Sequence, residues 1–95
     1  MDFEWNDNKN KTNIKKHGIS FEEAALIFQG ITLTRIDKRK DYGEARHITI
    51  GSLPERVVVV VVHTDRNGIT RMISARLSNR KERSLYNDYY KKIAE

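Results

Sequence analysis

The C-terminal half of the sequence carries a series of arginines whose side chains suit phosphate groups. Arginine presents a planar fork of N–H donors that matches phosphate oxygens, whereas lysine acts as a point charge. Histidines accompany the arginines, and imidazole changes its protonation state near neutral pH. Together these side chains can hold a phosphate and move a proton beside it. The arginines are Arg66, Arg71, Arg76, Arg80 and Arg83, and the histidines are His17, His47 and His63.

The composition limits the chemistry that is open to the chain. The protein has 95 residues, a net charge of +5 and no cysteine. This length suits one domain, and the lack of cysteine excludes disulfide scaffolds, thiolate zinc sites and cysteine nucleophiles. The excess charge lies in residues 57–95, where eight basic residues face four acidic ones. The alternative interpretation of this charge is a solvated basic face that keeps the protein soluble.

Several signals of location and cofactor use are missing from the sequence. The longest apolar run covers residues 57–62, far short of the ~20 residues of a membrane span. The N-terminus lacks the pattern of a signal peptide, so we expect a soluble cytoplasmic protein without membrane contact. No phosphate-binding glycine loop, serine triad motif, dinucleotide fingerprint or local histidine spacing occurs. We therefore expect no cofactor and no metal site.

Hydrophobic periodicity and turn residues predict the elements that must position these side chains. Six consecutive valines predict a central strand that is covered on both faces, and Ser20 begins a capping box with Glu23. The predicted order is β-α-α-β-β-β-β-α, an α+β fold. It has a small antiparallel sheet of about four main strands, two N-terminal helices and one C-terminal helix. The predicted strands are 3–5, 31–36, 45–52, 57–64 and 69–77, and the helices begin near residues 6, 20 and 79.

Two predicted hairpin turns fix which side chains share a face of the sheet. Asn-Gly at 67–68 favours a two-residue turn, and we take Pro-Glu at 54–55 as the other two-residue turn. Opposed residues of antiparallel strands point to the same side. We therefore expect Arg46 and Arg76 on one face, and Arg66 and Arg71 towards the other.

A set of short motifs follows an order that is specific as a set, although no single motif is. The motifs are Phe3-Glu4-Trp5-Asn6, Lys16-His17-Gly18, Tyr42-Gly43-Glu44 with Arg46, Thr64-Asp65-Arg66, the strand from Arg71 to Arg76, and Glu82-Arg83 with Tyr86. This order resembles that of the BrnT toxins of bacterial type II toxin–antitoxin systems, and the resemblance covers nearly the whole chain.

The resemblance implies both a fold and a function. The implied fold is RelE-like or barnase-like, with residues 1–95 as a single toxin domain. The implied activity is metal-independent RNA cleavage, which inhibits translation and arrests growth. The implied partner is a BrnA-type antitoxin, which carries the DNA-binding part, so that the toxin meets DNA only indirectly.

Metal-independent RNA cleavage assigns roles to particular side chains. The 2′-hydroxyl is the nucleophile, so the reaction needs a base, an acid and positive charge on the phosphorane. Arginines supply the charge, Glu44 is a candidate base, and His63 or His47 is a candidate acid or base. The catalytic candidates are Arg46, Glu44, His63, Arg66 and Arg76, and the RNA-binding candidates are Trp5, Lys40, Arg71 and Arg80.

Each candidate also has a structural interpretation. His63 suits a hydrogen-bonded residue at the edge of the core, and Arg76 suits a paired arginine at a strand end. Glu44 suits a weak surface pair with Lys40 or Arg46. For the whole chain, the alternative functions are a non-catalytic basic module that binds nucleic acid and a module that binds only a partner protein.

Overall fold

The computed structural model describes residues 1–94, which form a five-stranded sheet with helices on both faces. The strands follow the order β1-β5-β4-β3-β2 across the sheet. No helix among the described residues is long and apolar enough to cross a membrane. The elements are β1 (Asp2–Glu4), α1 (Asp7–His17), α2 (Phe21–Ala24), a 3₁₀ helix (Ala25–Gln29), β2 (Thr32–Ile36), β3 (His47–Ser52), β4 (Val58–Arg66), β5 (Ile69–Leu77) and α3 (Arg80–Ala94).

The predicted α+β class and element order are confirmed, with one correction to the sheet. β1 pairs with β5 in parallel, whereas the other neighbouring strands are antiparallel. The sheet is therefore mostly antiparallel: the four main strands are joined by the short strand β1, whose pairing is parallel. The valine strand β4 is the middle strand of the sheet. Because its side chains are buried on both faces of the sheet, both faces of the strand are apolar.

The capping contact that the sequence predicts at Ser20 forms. The Ser20 hydroxyl accepts a hydrogen bond from the backbone N–H of Glu23 at 3.0 Å. Before α3, the Asn79 side chain accepts from the Glu82 N–H, and the Glu82 carboxylate accepts from the Asn79 N–H, each at 2.8 Å. Such reciprocal bonds satisfy backbone donors that a helix start leaves free. Gly18 ends α1 in the left-handed conformation with φ 72°, which glycine adopts without steric cost.

Helices cover the two faces of the sheet unequally. On one face, which we call the α1 face, α1 and α2 enclose a core that includes Phe21, Val59 and Val61. On the other, which we call the α3 face, Tyr86 of α3 packs on a smaller cluster. The Tyr86 hydroxyl donates to the Ile31 carbonyl at 2.7 Å. The α3-face cluster consists of Ile48, Ile50, Val58, Val60 and Tyr86.

Both hairpin registers differ from the prediction in part. His63 pairs with Met72 as the Asn-Gly turn predicts, but a β-bulge follows, so that Arg76 lies opposite Val60 rather than Val59. The other hairpin has a three-residue loop, because the Leu53 N–H donates to the Val57 carbonyl at 2.8 Å.

The loop of this second hairpin shifts β3 by one residue relative to β4. Arg56, the last residue of the loop, takes a positive φ of 67°. Because the loop has three residues rather than two, His47 pairs with His63. A shift of one residue moves a side chain to the other face. The predicted division of the arginines between two faces is therefore wrong: Arg46, Arg66, Arg71 and Arg76 all belong to the α3 face.

Candidate active site

Three arginines of the α3 face surround a single carboxylate. Arg66 donates from Nε and Nη2 to the two Glu44 oxygens, at 2.8 and 2.6 Å. The Arg66 hydrogen bonds lower the pKa of Glu44, and the charges of Arg66, Arg46 and Arg71 lower it further. The same contact raises the pKa of Arg66. We call Glu44, Arg46, Arg66 and Arg71 the arginine cluster.

The ends of β4 and β5 hold two members of the cluster. Arg66 is the last residue of β4 and precedes the tight turn. Arg71 lies opposite Thr64 in β5 and also pairs with Glu4 of β1 at 3.4 Å. Because these strands are paired along their length, the two guanidinium groups start from a rigid platform.

The loop of residues 37–46 positions Arg46. Asp37 is buried and accepts two side-chain hydrogen bonds from Arg39, at 2.8 and 2.7 Å, which hold the pKa of Asp37 well below its usual range. The Tyr42 hydroxyl also reaches Asp37, at 3.3 Å. The Cζ atom of Arg46 lies 3.8 Å from the centroid of the Tyr42 ring. The Nζ atom of Lys40 lies 5.9 Å from the same centroid. The loop therefore stacks cations on one aromatic ring.

A threonine that the sequence did not single out lies beneath the cluster. Thr64 is 1% exposed, and its hydroxyl has no hydrogen-bond partner among the described residues. It stands beside Arg71 in the sheet register. A buried hydroxyl without a partner is unfavourable, and such groups are uncommon in folded proteins. The sequence signal for it was only its place in the Thr64-Asp65-Arg66 motif.

His63 and His47 lie on the α1 face, away from the cluster. His63 is 3% exposed, and its ring nitrogens meet the Thr49 hydroxyl at 2.7 Å and the Asp65 carboxylate at 3.0 Å. Burial lowers the pKa of His63, and the Asp65 contact opposes this. The His47 ring stacks on that of His63 with centroids 5.5 Å apart. This environment matches the structural interpretation of His63.

A family model describes the ribonuclease toxin BrnT of type II toxin–antitoxin systems, and it matches residues 5–82. The chain belongs to the BrnT family. It is therefore a ribonuclease toxin of a type II toxin–antitoxin system, and an antitoxin is its partner class. The matched residues include the whole arginine cluster.

A solved structure supports the fold of this BrnT chain. The crystal structure of the Brucella abortus ribonuclease toxin BrnT superposes with a TM-score of 0.63, covering 84% of this chain and 99% of that chain. The two sequences are 22% identical, so the likeness is one of fold. A search of curated proteins finds no match.

The remaining predicted site residues of the BrnT chain lie apart from the cluster. Arg76 donates two hydrogen bonds to Glu82, both at 2.8 Å, and it lies about 15 Å along β5 from Arg71. This pairing with the cap of α3 matches the structural interpretation of Arg76. Arg80 begins α3. Trp5 is half-buried and packs edge-on against Phe21 with centroids 6.1 Å apart, on the α1 face.

Proposed function

We propose that this BrnT chain cleaves RNA at the arginine cluster and without a metal ion. The observation that carries the proposal is the contact of Glu44 with Arg66, with Arg46 and Arg71 close enough to lower the pKa of the same carboxylate. A cluster with more cations than anions on a partly open sheet face attracts a phosphodiester. Its arginines supply the positive charge that a bound metal would otherwise supply.

The Glu44–Arg66 contact suits an exchange of anions. An RNA phosphate competes with Glu44 for the Arg66 fork, because both are anions that accept two hydrogen bonds. Release from Arg66 raises the pKa of Glu44 towards its ordinary value and frees the carboxylate. Glu44 then takes the proton of the 2′-hydroxyl, and the 2′-oxygen bonds to the phosphorus while the bond to the 5′-oxygen breaks. The 5′-oxygen leaves with a proton from water, and the other product ends in a 2′,3′-cyclic phosphate. Arg66, Arg71 and Arg46 stabilise the charge on the phosphorane.

This assignment leaves the buried histidine out of the reaction. His63 faces the opposite side of the sheet and already contacts Thr49 and Asp65. A proton-transfer residue must come within hydrogen-bond reach of the reacting group. We therefore assign the base to Glu44, and we assign RNA contacts to Lys40, which lies beside the Tyr42 ring, rather than to Trp5.

RNA cleavage by matched arginine variants tests the proposal. Purified wild-type protein is incubated with a labelled RNA in the presence of EDTA, and the products are resolved on a gel. We expect cleavage by the wild type, a loss of at least about 100-fold in Glu44→Gln, and a loss of at least tenfold in Arg66→Ala. Arg83→Ala removes one exposed arginine from α3, so it keeps the net charge of Arg66→Ala and should cleave like the wild type.

Two outcomes contradict the proposal. Intact RNA after incubation with folded wild-type protein argues against the activity itself. Cleavage by Arg66→Ala and Glu44→Gln at the wild-type rate argues against this location for the site. Circular dichroism and thermal unfolding of each variant establish that the protein is folded.

Membership of the BrnT family supports a proposal for the partner and for the cellular effect. We propose that a BrnA-type antitoxin neutralises the chain, that RNA is its substrate in the cytoplasm, and that cleavage stops translation and growth. Expression of the chain alone should arrest growth, and co-expression with a BrnA-type antitoxin should restore it. Restoration must be accompanied by co-purification of the two proteins, and Arg66→Ala should relieve the arrest without the antitoxin.

A further inference from the structure

Two histidines and one aspartate meet on the α1 face, where β3 begins and β4 ends. Their candidate ligand atoms all lie within 4.8 Å of one another. Asp65 Oδ1 is 3.0 Å from His63 Nδ1, and Asp65 Oδ2 is 3.7 Å from His47 Nδ1. Two imidazoles with one carboxylate form a donor set that suits zinc and related transition metals. We propose that His47, His63 and Asp65 form a binding site for a divalent transition-metal ion, with Zn²⁺ as the probe.

The distances between the donors suit a small metal ion. Zn²⁺ binds imidazole nitrogen and carboxylate oxygen at roughly 2.0–2.2 Å, which puts neighbouring donors of a tetrahedral site about 3.3 Å apart. The two measured contacts of Asp65, 3.0 and 3.7 Å, lie on either side of that separation. Binding therefore requires small side-chain movements and no rearrangement of the strands.

A buried nitrogen without a partner also points to a ligand. His47 Nδ1 is buried and has no hydrogen-bond partner among the described residues. It faces Asp65 from a distance too long for a hydrogen bond. Since a buried nitrogen loses its contact with water, an unmatched one carries a cost. A metal ion between this atom and Asp65 removes that cost.

A chain of hydroxyl groups already orients the buried histidine for ligation. His63 Nε2 lies 2.7 Å from the Thr49 hydroxyl, which lies 2.8 Å from the Thr34 hydroxyl. When Nδ1 binds a metal, Nε2 carries the proton and donates to Thr49, which donates in turn to Thr34. Metal-binding histidines are usually held by such a second hydrogen bond. Burial lowers the pKa of His63 and so favours the neutral imidazole that a metal requires.

The site opens to solvent on one side, where water can complete the coordination shell. The side chain of Asp65 is 48% exposed and that of His47 is 26% exposed. The arginine cluster lies on the other face of the same strands, so the metal does not reach a phosphate bound there. The ion would join the ends of β3 and β4 and stabilise the strand end that carries Arg66.

Zinc binding by single-residue variants tests the proposal. The protein is purified without a histidine tag, stripped with EDTA, dialysed, and titrated with Zn²⁺ by calorimetry and by thermal unfolding. We expect one Zn²⁺ per chain and a higher Tm on binding. His47→Gln and Asp65→Asn change partly exposed groups, and each should weaken binding at least tenfold. His17→Gln, at the end of α1, is the matched control and should bind like the wild type.

A variant of Thr49, which contacts His63 and is not itself a proposed ligand, tests the orientation of His63. Thr49→Val removes the hydroxyl beside Nε2 and should weaken zinc binding by about tenfold. No saturable binding by folded wild-type protein at millimolar Zn²⁺ overturns the proposal. Equal binding by the wild type and His47→Gln also overturns it. Neither measurement uses RNA, so a failure here is distinct from a failure of RNA cleavage at the arginine cluster.

Discussion

Single side chains decide the chemistry of the arginine cluster through their contacts rather than their type. Arg66 and Arg76 both hold a carboxylate through two hydrogen bonds. The partner of Arg76 also caps α3, so that pair serves the fold. The partner of Arg66 is a loop residue with three cations around it. A phosphate can replace Glu44 without disturbing a helix, and this difference separates the two arginines.

Removal of the Thr64 hydroxyl, which has no hydrogen-bond partner among the described residues, should affect stability and activity differently. The free energy of unfolding should be kept or raised, whereas the rate of RNA cleavage should fall. Thr64→Val replaces a buried hydroxyl that has no partner within residues 1–94 by a methyl group of similar size. Because no hydrogen bond is lost, the free energy of unfolding should stay the same or rise. We expect this hydroxyl, which lies beside Arg71 in the sheet, to donate to the bound phosphate, so RNA cleavage should fall at least several-fold.

Urea unfolding and the EDTA cleavage assay measure the two effects of Thr64→Val. A variant that is both destabilised and fully active would contradict the prediction. Thr70→Val, a buried threonine of β5, is the matched control for the loss of a hydroxyl and should leave the cleavage rate unchanged.

At the scale of elements, α1 completes the edge of the sheet. β1 pairs with β5 from Ile69 to Arg71, so the later part of β5 has no neighbouring strand on that side among the residues that the structure describes. Asn13 takes its place: it donates to the Ala75 carbonyl at 2.8 Å and accepts from the Ala75 N–H at 3.1 Å. It also donates to the Ile19 carbonyl at 2.9 Å. This explains why a helix with few apolar residues packs firmly.

Loss of this amide should destabilise the whole protein. Asn13→Ala leaves buried backbone groups of β5 without partners, and we expect a loss of about 2–4 kcal/mol in the free energy of unfolding. Asn8→Ala changes an exposed asparagine of the same helix and should cost less than about 1 kcal/mol. Urea unfolding followed by circular dichroism measures both. Equal losses in the free energy of unfolding for the two substitutions would show that the hydrogen bonds of Asn13 do not stabilise the protein.

The 3₁₀ helix approaches β3 at a glycine. A Cβ atom on Gly51 would lie 2.7 Å from the Cβ of Ile27, a branched residue that is fully buried. Gly51→Ala should therefore cost about 1–3 kcal/mol of stability through overpacking. At Gly30 a Cβ meets nothing within 4 Å, so Gly30→Ala is the control and should stay within about 0.5 kcal/mol. A neutral Gly51→Ala would contradict this packing.

For the whole molecule, titratable groups couple stability to pH in two separate ranges. Burial lowers the pKa of His63 in the folded protein below its ordinary 6.5. Between the pKa of the folded state and 6.5, the unfolded chain therefore binds more protons than the folded one. Stability therefore rises with pH in that range and is lost as pH falls below about 6.5. Arginine contacts lower the pKa of Glu44 and Glu82 below 4.5, so their contribution is lost only at more acidic pH.

The titration of His63, which acts in the higher of the two pH ranges, gives a prediction that thermal unfolding can check. In EDTA, the Tm of the wild type should fall between pH 7.5 and pH 5.5. His63→Asn keeps an N–H donor near Asp65 but removes the titrating imidazole, and its Tm should change less over the same interval. His17→Gln should follow the wild type. A wild-type Tm that is constant from pH 7.5 to 5.5 would contradict the prediction.

Local rules were sufficient to predict most elements and the family. The Asn-Gly turn, the capping boxes and the valine strand each act over a few residues, so their outcome is already present in the sequence. The parallel pairing of β1 depends on a partner 67 residues away. The bulge in β5 and the three-residue loop depend on how whole strands pack, and both were missed.

The sequence by itself determined the order of the elements, the position of the excess charge and the membership of the BrnT family. Only the tertiary structure decided which charged groups meet. A one-residue change of register moves every later side chain to the other face. The longer loop therefore brings Arg46 to the face of Arg66 and Arg71, and the bulge moves Arg76 to that face. The same pairing places His47 against His63, two residues whose separation in the chain gave no sign of a shared site.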